Sequence, residues 1–331
     1  MPEVTYRGRR AHRIENELLH VTVTVEGGHI AEILHKATGV NPLWSTPWET
    51  IEPSTYELAK HPEYGSDAES KLLSGIQGHN LCLDLFGGPS AEEAAAGMTV
   101  HGEASVATYE IESSERAMTA RCVLPAAQLR FERQIRLKAN DPYVAISETV
   151  ENLSILDRPV AWTQHVTLGP PFLEKGQTQF RVSGTKSRTI EGVDFDWPML
   201  PRVDGPREDL QVFTEAKSSS GFTTHLMDPF REQAYFAAWS PASKVVIGYQ
   251  WKRTDFPWLG IWEENYSRES APWDGRTLTR GMEFGASPIP ESRKKMIERN
   301  SMFGVPCYRW IPAKSKVSVE YKAFVRTAEG L

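Results

Sequence analysis

The chain has 331 residues, a net charge of −6 and three scattered cysteines, Cys82, Cys122 and Cys307. That length buries a substantial core, while the interspersed charges leave no sustained positive stripe, so no nucleic-acid partner is expected. No apolar run approaches the roughly 20 residues of a membrane span, the start carries no signal-peptide core, and the cysteines form neither a disulfide framework nor a CxxC metal site, so a cytoplasmic protein without a membrane partner is expected.

Strand periodicity dominates from the start. Apolar and polar residues alternate over 17–25, 129–137, 144–150 and 316–325, the pattern of half-buried antiparallel strands. Further strand candidates fall at 108–124, 178–182, 222–227, 235–239 and 244–251, many of them separated by Gly, Pro, Asn or Asp. Two short helices are predicted. One is at 90–96, where Ser90 and Glu93 make a capping box, and one is at 290–299, whose basic run Arg293 to Lys295 reads as a solvated face. The polar stretches 46–74 and 186–220 are predicted to be loops, of a length that often makes a lid or rim. No linker, repeat or composition shift divides the chain, so one all-β domain over residues 1–331 is expected.

The residues that could do chemistry follow the same order. His79 is flanked by glycine in Gly75-Ile-Gln-Gly-His-Asn-Leu81, which suits a ligand contact or loop packing. His101 and Glu103 lie on either side of Gly102, where backbone can approach a ligand or turn tightly. In the strand 158–168 the alternation sets Val160, Trp162, Gln164, Val166 and Leu168 on one side and Ala161, Thr163, His165 and Thr167 on the other. His165 therefore projects among short side chains. Toward the C-terminal half, Trp251, Phe256, Trp258, Trp262, Tyr266 and Trp273 are interleaved with Asp255, Glu263 and Glu264. Rings beside hydrogen-bonding groups suit a pyranose, and Trp262 and Asp255 are the candidate contacts. Glu283 lies between Gly281 and Gly285 on its face, with Met282 and Phe284 opposite, which leaves room over the carboxylate. Such a carboxylate needs a ligand or an arginine partner. No G-x-S-x-G elbow, P-loop or H-E-x-x-H helix is present, and the histidines never pair at metal-ligand spacing, so neither metal nor cofactor is expected.

Taken in order, four segments resemble the aldose 1-epimerase, or galactose mutarotase-like, superfamily. They are Glu26-Gly-Gly-His-Ile-Ala-Glu-Ile33, Phe86-Gly-Gly-Pro89 followed by His101-Gly102, Glu151-Asn152 leading to Trp162-Thr-Gln-His165, and Gly281-Met-Glu-Phe-Gly-Ala-Ser-Pro288. The chain departs from the pattern in two places: no arginine follows within residues 103–108, and Phe284 replaces a proline. The resemblance implies a β-supersandwich of antiparallel strands that interconverts the anomers of a small-molecule carbohydrate without a cofactor, with Glu283 and His165 catalytic and His101 holding the sugar. The sugar, its phosphorylation and the oligomeric state stay open. So do two alternatives, a carbohydrate-binding protein without turnover and a glycoside-cleaving enzyme with Glu103 and Glu283 as paired carboxylates.

Overall fold

The computed structural model describes residues 3–202 and 205–331. Strands with one apolar face must bury that face, and here they do so in two facing antiparallel sheets. The larger sheet has twelve strands among the described residues, ordered along its path from Val4–Tyr6 through Arg9–Glu15, Leu19–Thr24, Ile30–His35, His79–Asp84, Arg158–Leu168, Leu278–Gly285, Trp258–Asn265, Ser219–Met227 and Gly184–Thr189 to Asp194–Asp196. Arg309–Ile311 pairs off this path with Arg158–Leu168. The smaller sheet has eight strands and runs Gln179–Val182, Gln233–Ser240, Val245–Lys252, Lys316–Thr327, Tyr143–Asn152, Leu129–Leu137, Ala117–Leu124, Glu110–Ser113. The all-β expectation holds, and the strongly alternating segments lie in these strands.

The main core fills the space between the sheets. Trp162, Val166, Leu259, Met282 and Phe284 from the larger sheet meet Phe131, Ile146, Phe236, Tyr249, Trp251 and Tyr321 from the smaller one. Phe284 stacks on Trp251 with ring centroids 4.2 Å apart. The larger sheet is buried on its other face too. One cluster there joins Cys82, Phe86, Phe222 and Trp258 to Ile289 and Met296, and another joins Trp44, Trp48, Leu72, Leu73 and Trp273. Trp262 packs against both clusters, so the surface between them is a cleft.

Several expectations need correction. Residues 186–220 are not one loop: they hold strand residues of Gly184–Thr189, Asp194–Asp196 and the short pair Met199–Leu200 with Glu208–Asp209, while 203–204 lie outside the described residues. These strands are too short for alternation to be legible. The stretch 46–74 is mostly loop, as expected, interrupted by two 3-10 turns, Pro53–Thr55 and Pro62–Tyr64, and the short helix Ser70–Leu73. The helix Ala91–Ala95 starts at the predicted capping box. The second helix is Arg293–Arg299, but its basic run is not a simple solvated face: Arg293 pairs with the fully buried Asp84 and with Glu93 at 2.9 Å. No helix among the described residues is long and apolar enough to cross a membrane.

Buried histidines give the fold a definite response to acid. His225 sits between Ser187 Oγ at 2.7 Å and Thr223 Oγ1 at 2.9 Å, and burial, with Arg280 nearby, lowers its pKa to about 3. The unfolded chain takes up this proton near pH ~6.5 and the native state does not, so the ring contributes full stability above that pH. As pH falls from there towards about 3, ~1.4 kcal/mol is lost per pH unit. His225→Gln is expected to make the acid limb of stability against pH shallower by about that slope, read from urea unfolding at stepped pH. An unchanged slope would show that His225 is not buried neutral.

Candidate active site

Period-2 geometry delivers both acid–base candidates to the cleft. Trp162, Gln164 and Val166 point into the core, so His165 points out; Met282 and Phe284 point in, so Glu283 points out. Register then aligns them across the sheet: His165 is opposite Asn80 on one side and Glu283 on the other, and Glu283 is opposite Gly260. The glycines around Glu283 are needed. A Cβ at 281 would run into Glu283 Oε1, and one at 260 would press on Phe222.

His165 Nε2 lies 3.0 Å from Glu283 Oε1, with both side chains nearly buried. The contact has ion-pair range without the alignment of a hydrogen bond, and Glu283 Oε1 has no hydrogen-bond partner among the described residues. On the other side of the ring, Thr167 Oγ1 is 3.0 Å from His165 Nδ1. A hydroxyl both donates and accepts, so Thr167 can serve Nδ1 in either ring form while Nε2 is the nitrogen on the side of the carboxylate.

His101 completes this end of the cleft. Its ring centroid is 4.7 Å from that of His165, and its buried Nδ1 has no partner among the described residues. The backbone is held on both sides, the amide donating to Gly87 O at 3.3 Å and the carbonyl accepting from Leu83 N at 3.1 Å. His101 has φ +69°, a strained value for a residue with a side chain, and Gly102 follows at +76°. A Cβ on Gly102 would lie 2.5 Å from Leu83 O, which explains the glycine. Burial, followed by the neighbouring His165, holds His101 well below the ordinary imidazole range, so it is neutral.

These three groups share a cavity of about 200 Å³ with Glu69, Leu72, Leu73, Phe222, Trp262, Arg268 and Trp273. That is smaller than the ~300–1,000 Å³ of sites for drug-sized ligands, so its occupant is small. Trp262 is 5.9 Å from His165, ring to ring. Beyond it, Arg268 lies over Trp273 at 4.5 Å and pairs with Glu69 at 3.3 Å. Burial pushes the Glu69 carboxyl up, and Arg268 pulls it back. A groove of about 650 Å³ is larger, but it lies on the outer face of the smaller sheet, away from the histidine–glutamate pair.

Two sugar-contact candidates do not reach this cavity. His79 has the same parity as Leu81 and Leu83, so it points between the sheets, where its nitrogens are 3.2 Å from Tyr249 Oη and 3.0 Å from Gln164 Oε1. Asp255 lies in the turn where the chain leaves the smaller sheet for the larger, and it pairs with Arg309 at 3.5 Å beside the outer groove. Glu103 is also elsewhere: its carboxylate accepts from the Ala126 and Ala127 amides at 3.2 and 2.7 Å, so it does not meet Glu283. Glu69 and Arg268 were not legible as site residues. Both lie in connections, where no periodicity assigns a face.

No family model and no curated protein matches the chain. Solved structures do match. A candidate aldose 1-epimerase of Klebsiella pneumoniae aligns with TM-score 0.72 at 14% identity, over 97% of this chain and 80% of that one. A galactose mutarotase-like protein of Clostridium acetobutylicum aligns with TM-score 0.65 at 11% identity, over 99% and 98% of the two chains. One from Lactobacillus casei gives TM-score 0.61 at 13% identity, over 96% and 100%. The fold is therefore the galactose mutarotase-like β-sandwich, and the likeness at these identities speaks for fold alone.

Proposed function

We propose that the chain is a sugar mutarotase, an aldose 1-epimerase-like isomerase that acts through acid–base ring opening. The observation that carries this reading is the 3.0 Å approach of His165 Nε2 to Glu283 Oε1 in a small cavity walled by tryptophan. The anomeric hydroxyl and the ring oxygen of an aldose are bonded to the same carbon, so one base and one acid that serve both must be close neighbours. Glu283 takes the proton of the anomeric hydroxyl as the bond from C1 to the ring oxygen breaks, and His165, acting as the imidazolium, gives its Nε2 proton to that oxygen and is left a neutral imidazole. Rotation about C1–C2 presents the other carbonyl face. Re-closure returns each proton to its donor, so the enzyme ends unchanged. A positioned acid or base typically contributes ~10²–10⁴-fold each.

His101, neutral and with an unpartnered Nδ1, supports this reading as a hydrogen-bonding contact to the sugar beside the acid. Anomer exchange followed by magnetisation-transfer NMR over a panel of free aldoses is expected to be accelerated by the wild-type protein, and chelation of divalent ions is expected to leave the rate unchanged. Sugar binding without acceleration would favour a recognition protein. Loss of activity on chelation, restored by an added ion, would overturn the cofactor-free step.

A further inference from the structure

The cavity that holds His165 and Glu283 also carries an ion pair that ring opening does not use. Glu264, 1% exposed, accepts from the Ser267 amide and hydroxyl at 2.6 and 2.8 Å and from the Arg268 amide at 3.1 Å. These bonds fix the turn after Trp258–Asn265 and set the Arg268 guanidinium 5.7 Å from the Trp262 ring and 4.5 Å from the Trp273 ring. Glu69, from the other side of the cleft, meets it at 3.3 Å. Trp262 thus lies between the acid–base pair and a guanidinium–carboxylate pair, and all of them line one cavity.

The geometry points to Glu69 and Arg268 as the specificity-determining residues of the site, recognising the vicinal 3- and 4-hydroxyls of an unphosphorylated pyranose. This rests on the mutarotase reading, which puts the anomeric carbon at His165 and Glu283. With the ring over Trp262, the hydroxyls across the ring from that carbon meet the ion pair. A hydroxyl both donates and accepts, so neighbouring hydroxyls can donate to the Glu69 carboxylate and accept from the planar guanidinium. Charge decides the phosphorylation state. Arg268 already has Glu69 at 3.3 Å and Glu264 at 3.6 Å, and Glu283 lies in the same cavity, so a phosphate would enter a site with more carboxylates than cations.

The test combines calorimetric affinity with exchange kinetics for free aldoses, their 3- and 4-deoxy analogues and their 6-phosphates. Wild-type protein is expected to bind a parent aldose at least tenfold tighter than its 4-deoxy analogue or its 6-phosphate. Glu69→Ala should lose tenfold or more in affinity, mostly in KM rather than kcat, and should no longer distinguish the 4-deoxy sugar. Arg268→Lys keeps the charge and loses the fork, so it guards against misfolding and should give a smaller loss in the same direction. Unchanged affinity in both folded variants, or tighter binding of a 6-phosphate by the wild type, overturns the assignment. Sugar binding that responds to Glu69→Ala without any anomer exchange overturns the mutarotase reading alone. Failure of every sugar to bind overturns both.

Discussion

Glu283→Gln is expected to lower the rate of anomer exchange by two or more orders of magnitude while sugar binding survives. Glutamine keeps the shape and one acceptor oxygen but does not take the proton of the anomeric hydroxyl at neutral pH. His165→Asn should act likewise on the ring-oxygen side, because it removes the titratable ring nitrogen, Nε2, that lies 3.0 Å from Glu283 Oε1 and supplies the proton in this mechanism. If the two residues act as one unit, the double variant is scarcely worse than either single one, a non-additivity the same kinetics reads. Full exchange in both variants would show that the chemistry lies elsewhere in the cavity. Affinity measured in parallel separates a lost proton transfer from a collapsed site.

Glu148→Ala is expected to destabilise the fold by about 3–5 kcal/mol, a large share of the ~5–15 kcal/mol that holds a native protein. Glu148 and Arg133 form an ion pair at 2.8 Å between the sheets, their side chains 0% and 2% exposed. The carboxylate also accepts from Trp162 Nε1 at 2.9 Å, Gln164 Nε2 at 2.7 Å and Tyr321 Oη at 2.8 Å. Burial alone would lower the Arg133 pKa; Glu148 overrides this and holds it raised. Removing the carboxylate leaves a charge in the core that cannot shed its proton. Replacing both partners by apolar residues, Arg133→Met with Glu148→Leu, should cost much less, because no charge is then stranded. Urea unfolding of the single and double variants gives the comparison, and a single variant as stable as the double would refute it.

How far the sequence reaches is seen in the residues of one strand. Side-chain parity is local, so Trp162 and Gln164 declare which face is core and His165 is thereby assigned to the other; Met282 and Phe284 do the same for Glu283. The capping box at Ser90 is equally local and was legible. His79 obeys the same rule, and its parity with Leu81 and Leu83 gave a stronger signal than the glycine beside it. What the chain alone cannot state is which strands become neighbours. The alignment of Asn80, His165, Glu283 and Gly260 in one row depends on pairing between distant segments, and that pairing is decided by how two whole sheets bury their faces together. Asp255 stands close in sequence to Trp258 yet faces the outer groove, because the chain changes sheets between them. Glu69 and Arg268 come from connections without a repeating period, and only the packing of Leu72, Leu73 and Trp273 against the larger sheet brings their side chains into the cavity with His165 and Glu283.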